Sequence, residues 1–179
     1  PDVTLPGGMI YSSVNNGEYY MDRGTSMASP HAAGATALVK QSLKERFPHL
    51  TPEQLQILVK QMTMSTAVPH VDEETKAYSS VRQQGAGVMD VTAAALGDLY
   101  VTAKGEKSSL TLGNVKDTFE FDVTVHNLSD QEKTVTYETT LQTDQVEDGK
   151  FTLHPLLLET LTGKETVTVP AHGQRTIRV

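Results

Sequence analysis

The chain has 179 residues, 37% of them hydrophobic, enough for one or two domains with a packed core. Fifteen basic against 22 acidic residues leave a net charge of −7 with no basic cluster to follow a phosphate backbone, which excludes nucleic acid as a partner. No apolar run reaches the roughly 20 residues that cross a bilayer, no signal peptide opens the chain, and zero cysteines remove disulfides, thiol chemistry and cysteine-type zinc sites.

Pro1 is not an initiator methionine, so the chain is expected to begin inside a longer protein. Two short strands are expected at residues 9–12 and 18–21, joined through Asn15-Asn16-Gly17, a strong hairpin signal. A long helix follows over residues 25–44. Its small residues Ala28, Ala32, Ala33, Gly34, Ala35 and Ala37 lie all round the cylinder, so burial on several sides is expected. A second helix opens at Thr51-Pro52-Glu53-Gln54: threonine caps it, proline takes the first helical position and glutamine closes a capping box. Its inner stripe is Leu55, Leu58, Val59 and Met62. A loop through Gly85-Ala86-Gly87 leads to a short helix that Asp90 caps and Gly97 ends.

Near Gly97 the pattern changes from alanine-rich helix to period-two alternation, which divides the chain into residues 1–97 and 98–179. In the second part Phe119, Phe121, Val123 and Val125 alternate with polar residues. After a polar turn over residues 127–133, Val135, Tyr137, Thr139 and Leu141 do the same. Further strands are expected at residues 165–169 and 176–179. About six candidates suit an antiparallel β-sandwich in which about seven are usual, so the sandwich is expected to continue past Val179.

The chemistry concentrates in Gly24-Thr25-Ser26-Met27-Ala28-Ser29-Pro30-His31. Ser26 sits at the mouth of the long helix, where unpaired N–H groups and the positive end of the helix dipole can stabilise an oxyanion formed on a substrate carbonyl. Gly24 permits a tight turn, and Pro30 leaves the Ser26 carbonyl without its usual partner four residues on. Taken alone, Gly-Thr-Ser reads as an ordinary helix cap.

The full octet, with Ala33-Gly34 behind it, resembles the serine motif of the subtilisin family nearly letter for letter. Pro6-Gly7-Gly8 resembles the segment before that serine, with Leu5 where an alanine is more usual, and Gly85-Ala86-Gly87-Val88-Met89-Asp90 resembles the closing strand and last helix. The resemblance covers residues 1–97 and implies that Ser26 is the nucleophile. Arg82-Gln83-Gln84-Gly85-Ala86-Gly87, Thr124-Val125-His126-Asn127-Leu128-Ser129-Asp130 and Leu141-Gln142-Thr143-Asp144 extend the resemblance to streptococcal C5a peptidases and related cell-envelope proteinases of the lactocepin type. In these a fibronectin type III-like domain follows the protease domain. The implied fold is the C-terminal segment of an α/β, parallel-sheet subtilisin domain followed by an all-β fibronectin type III-like sandwich. The implied setting is extracellular, on a Gram-positive cell wall, with host or nutrient proteins and peptides as substrates.

A protease of this type needs a histidine base and an orienting carboxylate. Both precede the serine in the family, and this sequence has no Asp-Ser-Gly, Asp-Thr-Gly or His-Gly-Thr-His, so the upstream part of the same protease is the expected partner and the chain alone is expected to be inactive. None of Asn15, Asn16, Asn114 or Asn127 is assigned to the oxyanion hole. His31 lies about 140° round the helix from Ser26, and His49, His70, His126, His154 and His172 have no carboxylate at a telling spacing. An α/β-hydrolase elbow, Gly-x-Ser-x-Gly, is spoiled by Ala28. The alternative from another class is a non-catalytic adhesion module derived from a subtilase. Asp72-Glu73-Glu74 lacks a spaced calcium-ligand pattern and reads as a solvated loop. No cofactor is expected in this chain, calcium being an option for the full-length protein only, and the sequon Asn127-Leu128-Ser129 carries little weight.

Overall fold

A computed structural model describes residues 1–113 and 118–179. β1 (Ile10–Ser13) and β2 (Tyr19–Asp22) pair antiparallel across a 3-10 turn at Asn15–Gly17, where Asn16 takes φ 65°, a left-handed conformation that asparagine tolerates. α1 (Thr25–Arg46) runs unbroken through Pro30. α2 (Pro52–Ser65) closes its capping box both ways: the Gln54 N–H donates to Thr51 Oγ1 at 3.2 Å, and the Thr51 N–H donates to Gln54 Oε1 at 2.9 Å. α3 (Val81–Gln84) is a single turn, and α4 (Val91–Leu96) is capped by Asp90, whose Oδ1 accepts from the Ala93 N–H at 2.8 Å.

The helices share one core. Val39 and Leu43 of α1, the expected stripe Leu55, Leu58, Val59 and Met62 of α2, and Met89 and Ala94 are buried together. Burial of α1 on several sides does not occur in this chain. Only Val39 and Leu43 are buried, because α2 and α4 cover one side of the helix; Leu38 stays 60% exposed. A parallel pairing joins Thr4 to Val88, with the Thr4 N–H donating to the Gly87 carbonyl at 2.8 Å and the Met89 N–H to the Thr4 carbonyl at 3.0 Å. Gly85 and Gly87 allow this approach at φ 63° and 125°. A β-carbon there would stand 2.3 Å from the Asp2 carbonyl oxygen and 2.4 Å from the Val68 backbone.

Beyond Gly97 the regular elements among the described residues are all strands. β3 (Leu99–Thr102), β4 (Asp122–Asn127) and β7 (Gln174–Arg178) form an antiparallel sheet in the order β3-β4-β7. β5 (Lys133–Glu147) and β6 (Lys150–Val169) form a long antiparallel ribbon whose register shifts at four places. Two expectations change here. Strand β4 starts at Asp122, so Phe119 is 46% exposed and stacks on Phe121 in place of entering a core, although Phe121 and Val179 still exchange N–H···O bonds of 2.9 Å. The ribbon also takes in residues 142–164, for which no strand was expected, since their partners are set by pairing across the ribbon and not by local alternation.

Asn127 is the third change. It lies at the buried end of β4, 2% exposed, and not in a solvated turn. Its Nδ2 donates to the carbonyls of Gln131, Val169 and Pro170, while its Oδ1 accepts from the Ser129 N–H and hydroxyl. A buried amide is tolerated when its donors and acceptor are satisfied, and this one ties the three-stranded sheet to the ribbon. The helical core also reaches past Gly97: Tyr100 and Leu128 pack against it, and the Val101 N–H donates to Ser65 Oγ at 2.8 Å.

Candidate functional site

The mouth of α1 is shaped by two glycines. Gly24, at φ 148° and ψ 172°, occupies a region essentially closed to other residues, and its N–H donates to the Gly7 carbonyl at 2.7 Å. A β-carbon on Gly7 would stand 2.6 Å from the Gly24 oxygen and 3.1 Å from Ala28 Cβ, so the loop at Gly7 lies directly on the first turn. No side chain caps the helix. The Gly24 carbonyl takes the N–H groups of Met27 and Ala28 at 3.1 and 3.3 Å, which leaves those of Thr25 and Ser26 without a hydrogen-bond partner among the described residues. Ser26 is exposed, and its hydroxyl is likewise without a partner there.

A cleft of about 630 Å³ opens between the hairpin and this turn, lined by Ile10, Ser12, Tyr20 and Asp22 on one side and by Ser26, Met27, Pro30 and His31 on the other. Asp22 Oδ1 accepts from the Arg23 N–H at 2.7 Å. His31 borders the same cleft, although the helical period sets its Cα well round from Ser26. Its Nδ1 lies 2.8 Å from the Met27 carbonyl; because a carbonyl only accepts, Nδ1 donates and the ring is held by its own helix.

The other histidines serve elsewhere. His70 bonds Ser79 at 2.9 Å, and His49 meets the Phe47 ring edge-on at 6.4 Å. His126 bonds Thr102 Oγ1 at 2.8 Å and stacks on Tyr100 at 4.4 Å, and burial holds its pKa below the ordinary histidine value. His172 lies 2.6 Å from Asp130 Oδ1, a carboxylate partner that the sequence reading did not find because the two are 42 positions apart. Asn15 and Asn16 sit at the hairpin turn, Asn127 is sealed in the sandwich, and Asn114 lies outside the described residues. Asp72 Oδ1 accepts from the Thr75 N–H and hydroxyl at 2.8 and 3.0 Å and from the Glu74 N–H at 3.1 Å. These bonds, that of the Thr75 N–H first, keep its carboxyl below the usual range, and the acidic run is a self-capped turn.

The cleft therefore presents the hydroxyl and N–H of Ser26, both without a partner among the described residues, at the positive end of a 22-residue helix. Such a set suits attack on a carbonyl with the developing negative charge held by backbone donors. The lining from Tyr20 and Asp22 escaped the sequence reading; the hairpin placed immediately before the octet was the available signal, since a short connection keeps consecutive elements adjacent.

The model for the Subtilase family matches residues 1–90, and that for an Fn3-like domain matches residues 110–179. Along its whole length the chain is 42% identical to a C5a peptidase of Streptococcus pyogenes serotype M6 and 41% identical to one of serotype M3. It is also 42% identical over 102 residues, 52% of its length, to the PII-type proteinase of Lactococcus lactis subsp. cremoris. It spans 15% of the length of those C5a peptidases and 5% of that proteinase. No helix among the described residues is long and apolar enough to cross a membrane. With half its residues matched by the family model, and with the fold and the uncapped serine turn described above, the chain belongs to the subtilase family and carries an Fn3-like domain behind its subtilase segment.

Proposed function

We propose that this chain carries the nucleophile of a subtilisin-type serine endopeptidase and that the nucleophile is Ser26. The observation that carries the reading is the free hydroxyl of Ser26 beside unpartnered N–H groups at the uncapped mouth of α1. The Ser26 oxygen attacks the scissile carbonyl carbon, and the carbonyl electrons move onto oxygen, where the Ser26 N–H and the helix dipole meet the charge. The proton passes to a histidine oriented by an aspartate, both supplied by the part of the protease that precedes these residues in sequence. Collapse of the adduct expels the amine with that proton, and water then hydrolyses the acyl-enzyme to restore Ser26.

Residues 1–97 serve as the protease segment and residues 98–179 as a sandwich that helps to align large substrates without contributing catalytic groups. The relatives named C5a peptidase and PII-type proteinase support protein or peptide substrates, drawn from a host or from nutrients, and a position on the outer surface of a Gram-positive cell wall. No cofactor is proposed for these residues, and calcium belongs, if anywhere, to the full-length protein.

The test is Ser26→Ala in the full-length protease, with fluorophosphonate labelling and peptide turnover as readouts. Turnover should fall on the scale known for subtilisin itself, where loss of the nucleophile costs about a million-fold, and labelling should vanish. A folded variant that keeps more than about a hundredth of wild-type turnover overturns the assignment on that scale. Labelling or turnover by the isolated 179 residues would overturn the view that the base lies upstream.

A further inference from the structure

Arg46 closes α1 at the end opposite Ser26. Its Nη1 donates to the carbonyls of Ala95 and Gly97 at 2.9 and 3.0 Å, and its Nη2 donates to Asp98 Oδ1 at 2.9 Å. One turn earlier, Ser42 Oγ donates to the same Ala95 carbonyl at 2.9 Å. The second Asp98 oxygen faces Lys133 Nζ at 3.6 Å, at the start of β5, and the Asp98 backbone carbonyl accepts from the Leu128 N–H at 2.7 Å, just past β4. One guanidinium thus joins the end of the long helix, the end of α4 and, through Asp98, two strands of the sandwich.

This cluster differs from an exposed ion pair. Its arginine and aspartate side chains are only 26% and 32% exposed, and the planar fork serves three acceptors from two nitrogens held in one plane, a geometry that the single ammonium of lysine does not reproduce. Tyr100 and Leu128 continue the helical core across the same joint. A second attachment lies farther along the ribbon: the Tyr78 N–H donates to Gln142 Oε1 at 2.8 Å, and Arg82 pairs with Asp144 while lying over the Phe151 ring at 5.0 Å. Two attachments at separate places remove the swivel that one joint would leave. The lever is long, because α1 extends about 30 Å at 1.5 Å per residue and a tilt of about 10° at one end displaces the other by about 5 Å. In proximity catalysis a misplacement of about 1 Å can already cost about a hundredfold in rate.

We propose that Arg46 is a positioning residue for proteolysis: it mounts the sandwich at a fixed angle on the helix that presents Ser26, so that a protein substrate reaching both keeps its scissile bond aligned with the nucleophile. The proposal rests on the reading of Ser26 given above. A short peptide reaches only the cleft and is indifferent to the mounting, whereas binding energy from remote contacts is useful only when those contacts and the reacting bond are held in register.

The experiment uses the full-length protease with Arg46→Ala and Arg46→Lys. Spin labels on the exposed residues Lys40 of α1 and Glu138 of β5 report the mounting angle as a distance distribution, and kcat/KM is measured on an intact protein and on a short peptide. Arg46→Ala should broaden the distribution and lower kcat/KM on the protein at least about fivefold, mainly through KM, while peptide turnover and fluorophosphonate labelling stay within about twofold. Arg46→Lys, which keeps the charge but loses the fork, should fall between, and it carries the test if the alanine variant does not fold. An unchanged ratio of protein to peptide kcat/KM overturns the proposal whatever the labels report, as do equal losses on both substrates. Absence of fluorophosphonate labelling in the unmutated protease would instead overturn the Ser26 reading, and the label distances would then judge the clamp by themselves.

Discussion

The two ends of α1 are built on opposite plans. At Thr25 the helix opens on a glycine with no side-chain cap, two N–H groups and a hydroxyl have no partner among the described residues, and Gly24, Thr25 and Ser26 are exposed. At Arg46 the helix closes on a buried leucine one turn back, the neighbouring carbonyls of Ala95 and Gly97 are bonded, and apolar residues from two other helices press against it. One end leaves its first N–H groups open, and the other bonds the carbonyls that end α4. The contrast separates reactivity from stability along one element, since an unpaired exposed donor costs little in water yet is ready for a ligand, while a buried one has to be answered.

That separation can be broken by experiment. The largest stability effect is expected at the closed end: in the full-length protease Leu43→Ala should cost about 2–5 kcal/mol by chemical denaturation, since Leu43 is fully buried, while the remaining folded molecules still react with a fluorophosphonate at the wild-type rate. A slowed reaction in folded protein would show that the two ends are not independent. At the open end Gly24→Ala should cost about 1–3 kcal/mol, because φ 148° is strained for any residue with a β-carbon, and should also slow labelling by moving the Thr25 and Ser26 N–H groups. Stability lost with labelling untouched would mean that this turn is structural only.

The smallest effect belongs to His126, which stacks on Tyr100 where the sandwich meets the helical core. Burial depresses its pKa, so the unfolded chain binds the proton more tightly than the folded one. Stability is then present at neutral pH and drains away as pH falls through the ordinary histidine value of about 6.5 toward the lower folded value. His126→Gln should flatten that part of the melting temperature against pH profile. A profile unchanged by the substitution would place the titrating group elsewhere.

Features written in a few adjacent residues were the legible ones. Thr51-Pro52-Glu53-Gln54 announced a capping box that forms in full, Asn15-Asn16-Gly17 announced a reversal, and the octet around Ser26 announced an open helix mouth. What escaped depends on partners distant in sequence. Asn127 has the composition of a turn residue, and only the carbonyls of Val169 and Pro170, more than forty positions on, make it a buried junction. The exposure of α1 was misread for the same reason: small residues on all sides permit close neighbours but do not supply them. Arg46 and Asp98 look like any charged pair until the end of α4 is brought between them.

The parallel contact near the chain start bears on how much change the fold can absorb. Thr4 Oγ1 donates to the Gln84 carbonyl at 3.0 Å across 80 positions, so everything from the hairpin to α3 is one large loop pinned at its base. The entropy of closing such a loop grows only with the logarithm of its length, about 0.6 kcal/mol for each doubling. A few residues inserted at the exposed Asn16-Gly17 turn would therefore be nearly free for the closure, whereas a single methyl group added at Gly85 or Gly87 would strike backbone. The hairpin tip can therefore change in length without rebuilding the core, whereas the pin has no room for one added carbon.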